Sequence, residues 1–255
     1  MDVEYGETWA YESIVGALPG IDVSPRAAVL IQFLVFEAAV LSLAAIYDLW
    51  TAALAGTVAV VVATAGSVEM LRISQLIRGG PAERGDRGGD AGTRRRTVPE
   101  SYGRLLFGSS VEVVLSVLAY VALITHLFVY APRSGSPLLT ALFGPEPPIL
   151  VVYLVLLVLW DVCYRIGTGW WASVVALWRS ARYRFDPATA RTLQRADLET
   201  MGFGLLQLVL VPFLASSPIL RTAVVGHVVA VTLVTGASIL LLRVRTEQAT
   251  PSSSP

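Results

Sequence analysis

Asp161 and Arg165 stand four residues apart inside Ile149 to Phe185, a stretch that starts as an unbroken apolar run. That spacing puts a carboxylate and a guanidinium on one helical face, where they can pair. A lone charge in hydrocarbon costs several kcal/mol, so both are expected to face protein or water and to find partners. Glu37, Glu112 and Gln207 lie in other apolar runs, and Glu112 belongs to a stripe of Ser109, Glu112, Ser116 and Tyr120 at three- and four-residue intervals. Such a stripe must point inward. The chemistry open to this set is exchange: one arginine among several carboxylates lets a site swap a proton or cation for an internal ion pair. The same side chains also suit plain hydrogen bonding between helices, at about 0.6 kcal/mol per polar pair.

Two other chemistries are excluded outright, and an intramembrane enzyme ranks third behind the readings given below. All 19 residues of the Lys+Arg count are arginine. Without lysine there is no retinal Schiff base and no phosphate-binding Walker loop. Cys163 is the only cysteine, so no internal disulfide forms, and it reads as a small packed hydrophobe. His126 and His227 fall short of the three or four ligands a bound metal needs. The HExxH and GxSxG signatures are absent. No cofactor is implied.

The elements that must position these residues belong to a bilayer. The chain is 55% hydrophobic and 15% charged, with a mean hydropathy of +0.65. A soluble domain carries about 25% charged residues. Residues 1–23 form an acidic cytoplasmic segment in which Trp9, Tyr11, Ile14, Val15 and Leu18 suit the membrane surface. Residues 24–78 read as a transmembrane hairpin: Ser24 and Pro25 start span one, Asp48 turns it, and Thr51 to Leu71 is span two. Gly56, Ala59, Ala63 and Ser67 make a ridge of small residues for close helix approach. Residues 79–98 are a flexible basic linker closed by Arg94, Arg95 and Arg96.

Residues 99–243 hold spans three to six. A capping box at Thr97 to Glu100 opens span three and Pro132 ends it. Ser136 to Pro148 is an interfacial loop. Ile149 to Phe185 reads as one long helix, since two spans of about 13 residues would fall short of the 20 or so needed to cross. Trp170, Trp171 and Trp178 would then reach the headgroups. Asp186 and Pro187 start span five, which Pro212 should kink, and Ser217 with Pro218 starts span six. Residues 244–255 form a disordered tail.

The positive-inside rule sets the orientation. The linker arginines and a second set after span four, Arg179, Arg182, Arg184, Arg191 and Arg195, should be cytoplasmic. The expected fold is all-α: a polytopic bundle of six spans in the cytoplasmic membrane, both termini cytoplasmic. Asp161 then lies about 18 to 20 Å from the outer face and Arg165 about 25 Å. Glu69, Glu112 and Gln207 fall in that inner layer, with Glu37 nearer the middle.

The lysine-free chain, its acidic start, its Asp/Gly/Arg linker and the segment Asp161-Val-Cys-Tyr-Arg-Ile-Gly-Thr-Gly-Trp-Trp171 resemble the uncharacterised multi-pass membrane proteins of halophilic archaea. The resemblance implies a source and brings no activity with it. The leading expectation is a small transporter or permease whose inner-half polar site comprises Asp161, Arg165, Glu112, Gln207 and Glu37. The alternative is a non-catalytic scaffold or accessory subunit. Its partners would be a membrane protein, a second copy of the chain, or anionic lipid headgroups at Arg94, Arg95 and Arg96. The net charge of +0 offers nothing to nucleic acid.

Overall fold

Ser24 opens the first rod: its extended backbone and a hydroxyl that accepts from the Ala27 N–H at 3.3 Å cap the helix, and Pro25 takes the first helical position. The computed structural model describes residues 23–78, 99–107, 109–133 and 138–247. The N-terminal segment with Trp9, Thr97 of the capping box, and the linker with Arg94, Arg95 and Arg96 lie outside these. Helix α1 (Pro25–Tyr47) stops at Asp48, which adopts φ 54° and ψ 44° and returns its N–H to the Ala44 carbonyl. Asp is among the few side chains that tolerate that left-handed region, so the chain reverses into α2 (Trp50–Arg78) within two residues. Gly56 of the small-residue ridge admits the partner helix, since a Cβ there would lie 3.2 Å from Val40 Cγ1.

The third rod departs from expectation in one place. It is divided into α3 (Glu100–Phe107) and α4 (Val111–Thr125), with Ser109 and Ser110 between them outside the helix. The Ser109 hydroxyl donates to the Leu105 carbonyl at 2.7 Å, a local bond that competes with helix propagation. Pro132 lies one residue before Arg133, the last described residue of the rod. A π-helical turn, His126–Tyr130, precedes it, and the Ala131 N–H reaches back five residues to His126, so the widened register carries the chain through α5 (Ala131–Arg133). The loop that follows contains a short helix, α6 (Leu138–Phe143), closed by Gly144 at φ +79°.

Helix α7 (Ile149–Arg182) is one unbroken rod of 34 residues, about 50 Å long at 1.5 Å per residue. It packs against α1, α2, α3 and α4 and also against the two helices after it. Small residues permit this. A Cβ on Gly167 would meet Ser116 Cα of α4 at 3.2 Å, and one on Gly169 would meet the Phe203 ring at 3.3 Å. Val158 and Val162 join Val40, Ala44, Ala53, Val60 and Ala63 in an apolar cluster that α7 shares with α1 and α2.

Asp186 caps α8 (Pro187–Leu206), accepting from the Ala188 and Thr189 N–H groups at 3.0 and 3.1 Å. Thr189, through its hydroxyl and its N–H, holds this carboxyl below the usual Asp range. Around Pro212, where a kink was expected, the chain forms a 3-10 helix over Gln207–Leu214. That register avoids the clash of the proline ring with the carbonyl four residues back. Helix α9 (Pro218–Glu247) runs past residue 243, where the tail was expected to begin, because Arg245 Nη1 donates to the Ala181 carbonyl at 2.6 Å and ties the last turn to α7.

Among the described residues there is no strand, and six helical stretches are long and apolar enough to cross a membrane. Their outward faces carry Leu34, Leu118, Leu157 and Leu233, all more than half exposed. Such a continuous apolar exterior suits lipid.

Candidate functional site

Halfway along the bundle, α7 presents the expected pair. Arg165 Nε donates to Asp161 Oδ1 at 3.3 Å. The second carboxylate oxygen is taken by a residue sequence reasoning did not select: Gln32 of α1 donates from Nε2 to Asp161 Oδ2 at 2.9 Å. All three residues are buried. The Arg165 guanidinium carbon also lies 5.3 Å from the centroid of the Tyr164 ring. Its aliphatic stem rests on α2 at Gly66, where a Cβ would be 2.7 Å from Arg165 Cβ and 2.8 Å from Phe203 Cζ. The glycine lets α2, α7 and α8 close around this layer.

The other expected site residues have separate surroundings. Glu37 accepts from the Thr57 hydroxyl at 2.7 Å, a bond within the α1–α2 hairpin. Glu112 is buried in the first turn of α4 and accepts from Ser109 Oγ at 3.4 Å. Its stripe does face α7: Tyr120 donates its hydroxyl to the Leu156 carbonyl at 3.3 Å. Gln207 is 1% exposed where α8 becomes 3-10 helix, and its Oε1 has no hydrogen-bond partner. The structure thus joins Asp161 to Arg165, adds Gln32, and gives Glu37 and Glu112 neighbours of their own.

Nearer the α7 C-terminus lies a second polar layer. Arg179, expected among the arginines of the second basic loop, is 0% exposed. The rod extends past it to Arg182 and α8 folds back alongside, so Asp197 comes opposite. Arg179 Nη2 donates to both Asp197 oxygens at 2.6 and 2.7 Å, and Nη1 donates to the Tyr102 hydroxyl at 3.0 Å. Ser238 of α9 donates to Asp197 Oδ2 at 2.7 Å and lies 2.8 Å from the Ser180 hydroxyl. One network therefore ties α3, α7, α8 and α9. Its partners are separated in sequence by 18 to 77 residues, beyond the reach of any spacing rule. The available signal was the run of small residues Ser173, Ala176 and Ser180 on α7, matched by Thr235 and Ser238 on α9, all buried.

Between these layers, Glu69 of α2 is 5% exposed and neither carboxylate oxygen has a hydrogen-bond partner. Glu199 and Thr200 of α8 lie beside it. The Thr200 hydroxyl donates to its own Ala196 carbonyl, and Glu199 gives Oε1 to Arg72 Nη2 at 2.8 Å while its Oε2 is buried without a partner.

The histidines are apart: His126 Nε2 lies 3.2 Å from Ser217 Oγ, and the His227 ring lies 6.0 Å from that of Trp170. Among the described residues no group of three or more His, Cys, Asp or Glu side chains is placed to hold a metal. Trp171 donates its indole N–H to the Leu105 carbonyl at 3.0 Å. Toward the opposite end, Ala44, Leu49, Leu139, Phe143, Val151 and Leu154 help to line an apolar cavity of about 150 Å³.

Long apolar helices closed around buried polar layers define a helical membrane protein. A model of a family of unknown function, DUF7530, matches residues 4–238, and the chain belongs to that family. No curated protein and no solved structure matches it significantly.

Proposed function

We propose that this protein is a small transporter that crosses the cytoplasmic membrane six times with both termini inside, and that its solute site is the polar layer around Asp161 and Arg165. The observation that carries this reading is the Gln32–Asp161–Arg165 group, which sits mid-helix on the most heavily packed rod and spans two helices. An ion pair held within α7 and tied to α1 only by the neutral Gln32 amide can exchange that amide for a solute group and reclose. Glu112, Gln207 and Glu37, buried or half-buried on neighbouring helices, are proposed as its supporting polar groups.

Purified protein in liposomes tests it by stopped-flow swelling with small polar solutes and alkali chlorides. Flux above empty vesicles is expected. Asp161→Ala and Arg165→Ala should each abolish it, the double substitution adding no further loss, while thermal unfolding in detergent shows a retained fold. No flux from the wild-type protein across that panel rejects the reading.

The Arg179–Asp197 network favours a second reading, a scaffold or accessory subunit, because it locks four helices with charged bonds that have no exposed face. Cross-linking in native membranes to one partner or to a second copy, without flux, is the outcome it expects. Arg94, Arg95 and Arg96 would then serve to hold that partner or anionic lipid.

A further inference from the structure

We propose that Glu69 is a proton-binding site, loaded through Glu199. Buried polar groups are almost always hydrogen-bonded, and an ionised carboxylate out of water with no donor is too costly to persist, so a positive charge must meet it. Both Glu69 oxygens lack a donor.

None of the charged groups packed around it supplies that charge. Arg72, on the same helix, is 62% exposed and pairs with Glu199. On α8, Glu199 is itself acidic, and Asp197 is engaged by Arg179 and Ser238. On α7, Arg165 rests its stem one turn away against Gly66 and turns Nε to Asp161, while Arg179 directs Nη2 to Asp197. The Thr200 hydroxyl, the neutral donor beside Glu69, also bonds its own Ala196 carbonyl at 3.3 Å and carries no charge to offset an ionised carboxylate. A metal ion would need more ligands than two carboxylates and one hydroxyl, and among the described residues no group of three or more His, Cys, Asp or Glu is placed to hold one. The proton is the occupant that fits.

Glu199 supplies the route. Its side chain is 26% exposed, so Oε1 meets Arg72 at the surface while Oε2 is buried without a partner. A proton taken from water by Glu199 passes to Glu69, leaving Glu199 ionised and again paired with Arg72. The step moves one proton and breaks no other bond. As the coupling position of the transporter proposed above, the site rests on that reading, but proton binding is measurable without transport.

Infrared difference spectroscopy of the protein in liposomes, stepped from acid to alkaline buffer, reads the site directly. The wild-type protein should show a protonated-carboxyl C=O band that titrates and is wholly lost in Glu69→Gln, which mimics the neutral acid and should unfold at the wild-type temperature. Glu199→Gln should keep the band and slow its appearance after a rapid pH jump. A wild-type spectrum identical to that of Glu69→Gln throughout overturns the proposal, as does a band that appears only when sodium and potassium are withdrawn. The band without flux leaves the site standing and removes the transporter; flux without the band does the reverse.

Discussion

Removing the Asp197 carboxylate should be the most damaging single change in the bundle. Asp197 is 2% exposed and accepts three hydrogen bonds, two from Arg179 and one from Ser238. Polar bonds between membrane helices are worth about 0.6 kcal/mol on average and up to about 1.7, so three of them amount to roughly 2 to 5 kcal/mol. The larger part is what remains: in Asp197→Ala the Arg179 guanidinium, 0% exposed, keeps only the Tyr102 hydroxyl and ring. Breaking one side of a buried pair costs about 3 to 5 kcal/mol. At about 1.4 kcal/mol per tenfold, that is two to nearly four orders of magnitude in the folded fraction. Replacing both partners by apolar residues of similar size, Arg179→Met with Asp197→Leu, removes charge and counter-charge together and should cost far less than the sum. Reversible unfolding in mixed micelles across the four proteins of this double-mutant cycle is the assay. Single substitutions costing under about 1 kcal/mol, or a coupling near zero, would refute the reasoning, because the pair would then behave like a solvated surface bridge.

Glycines make a sharper contrast. Gly66→Ala drives a methyl into Arg165 and Phe203 and should destabilise by about 1 to 3 kcal/mol, whereas Gly202→Ala meets nothing within 4 Å and should stabilise α8 by up to about 1 kcal/mol in the same unfolding assay. Asp186→Ala removes the α8 cap and should cost about 1 kcal/mol at neutral pH. The folded-state pKa of Asp186 is depressed, so its contribution is complete above the ordinary Asp value of about 3.9 and is lost as pH falls below it; the variant and wild-type curves should converge in acid. Because Cys163 is buried, single cysteines can be added without removing it. With the proposed topology, Gly88→Cys should react with a membrane-impermeant maleimide only from the cytoplasmic side and Glu146→Cys only from outside; swapped sidedness would reverse the depth assignments, and labelling of both from one side would refute the span count.

Chain chemistry alone determined what depends on composition and near neighbours. Hydropathy marks the six long apolar helices because lipid rewards apolar side chains whatever their order. The caps at Ser24 and Asp186, the reversal at Asp48 and the Asp161–Arg165 pair lie within four residues of their partners, so spacing suffices. Even local geometry escaped where register mattered. A π-turn precedes Pro132 and a 3-10 segment holds Pro212, registers that the presence of a proline does not by itself specify.

Only the tertiary structure decided which polar groups meet. Gln32 reaches Asp161 across 129 residues, Arg179 leaves the basic loop to grip Asp197, and Glu69 is left with no donor. Helices in lipid gain nothing hydrophobic by choosing one neighbour over another; they are sorted by close fit at sites such as Gly56, Gly66 and Gly167. That fit is a property of paired surfaces in three dimensions, and it places every buried charge.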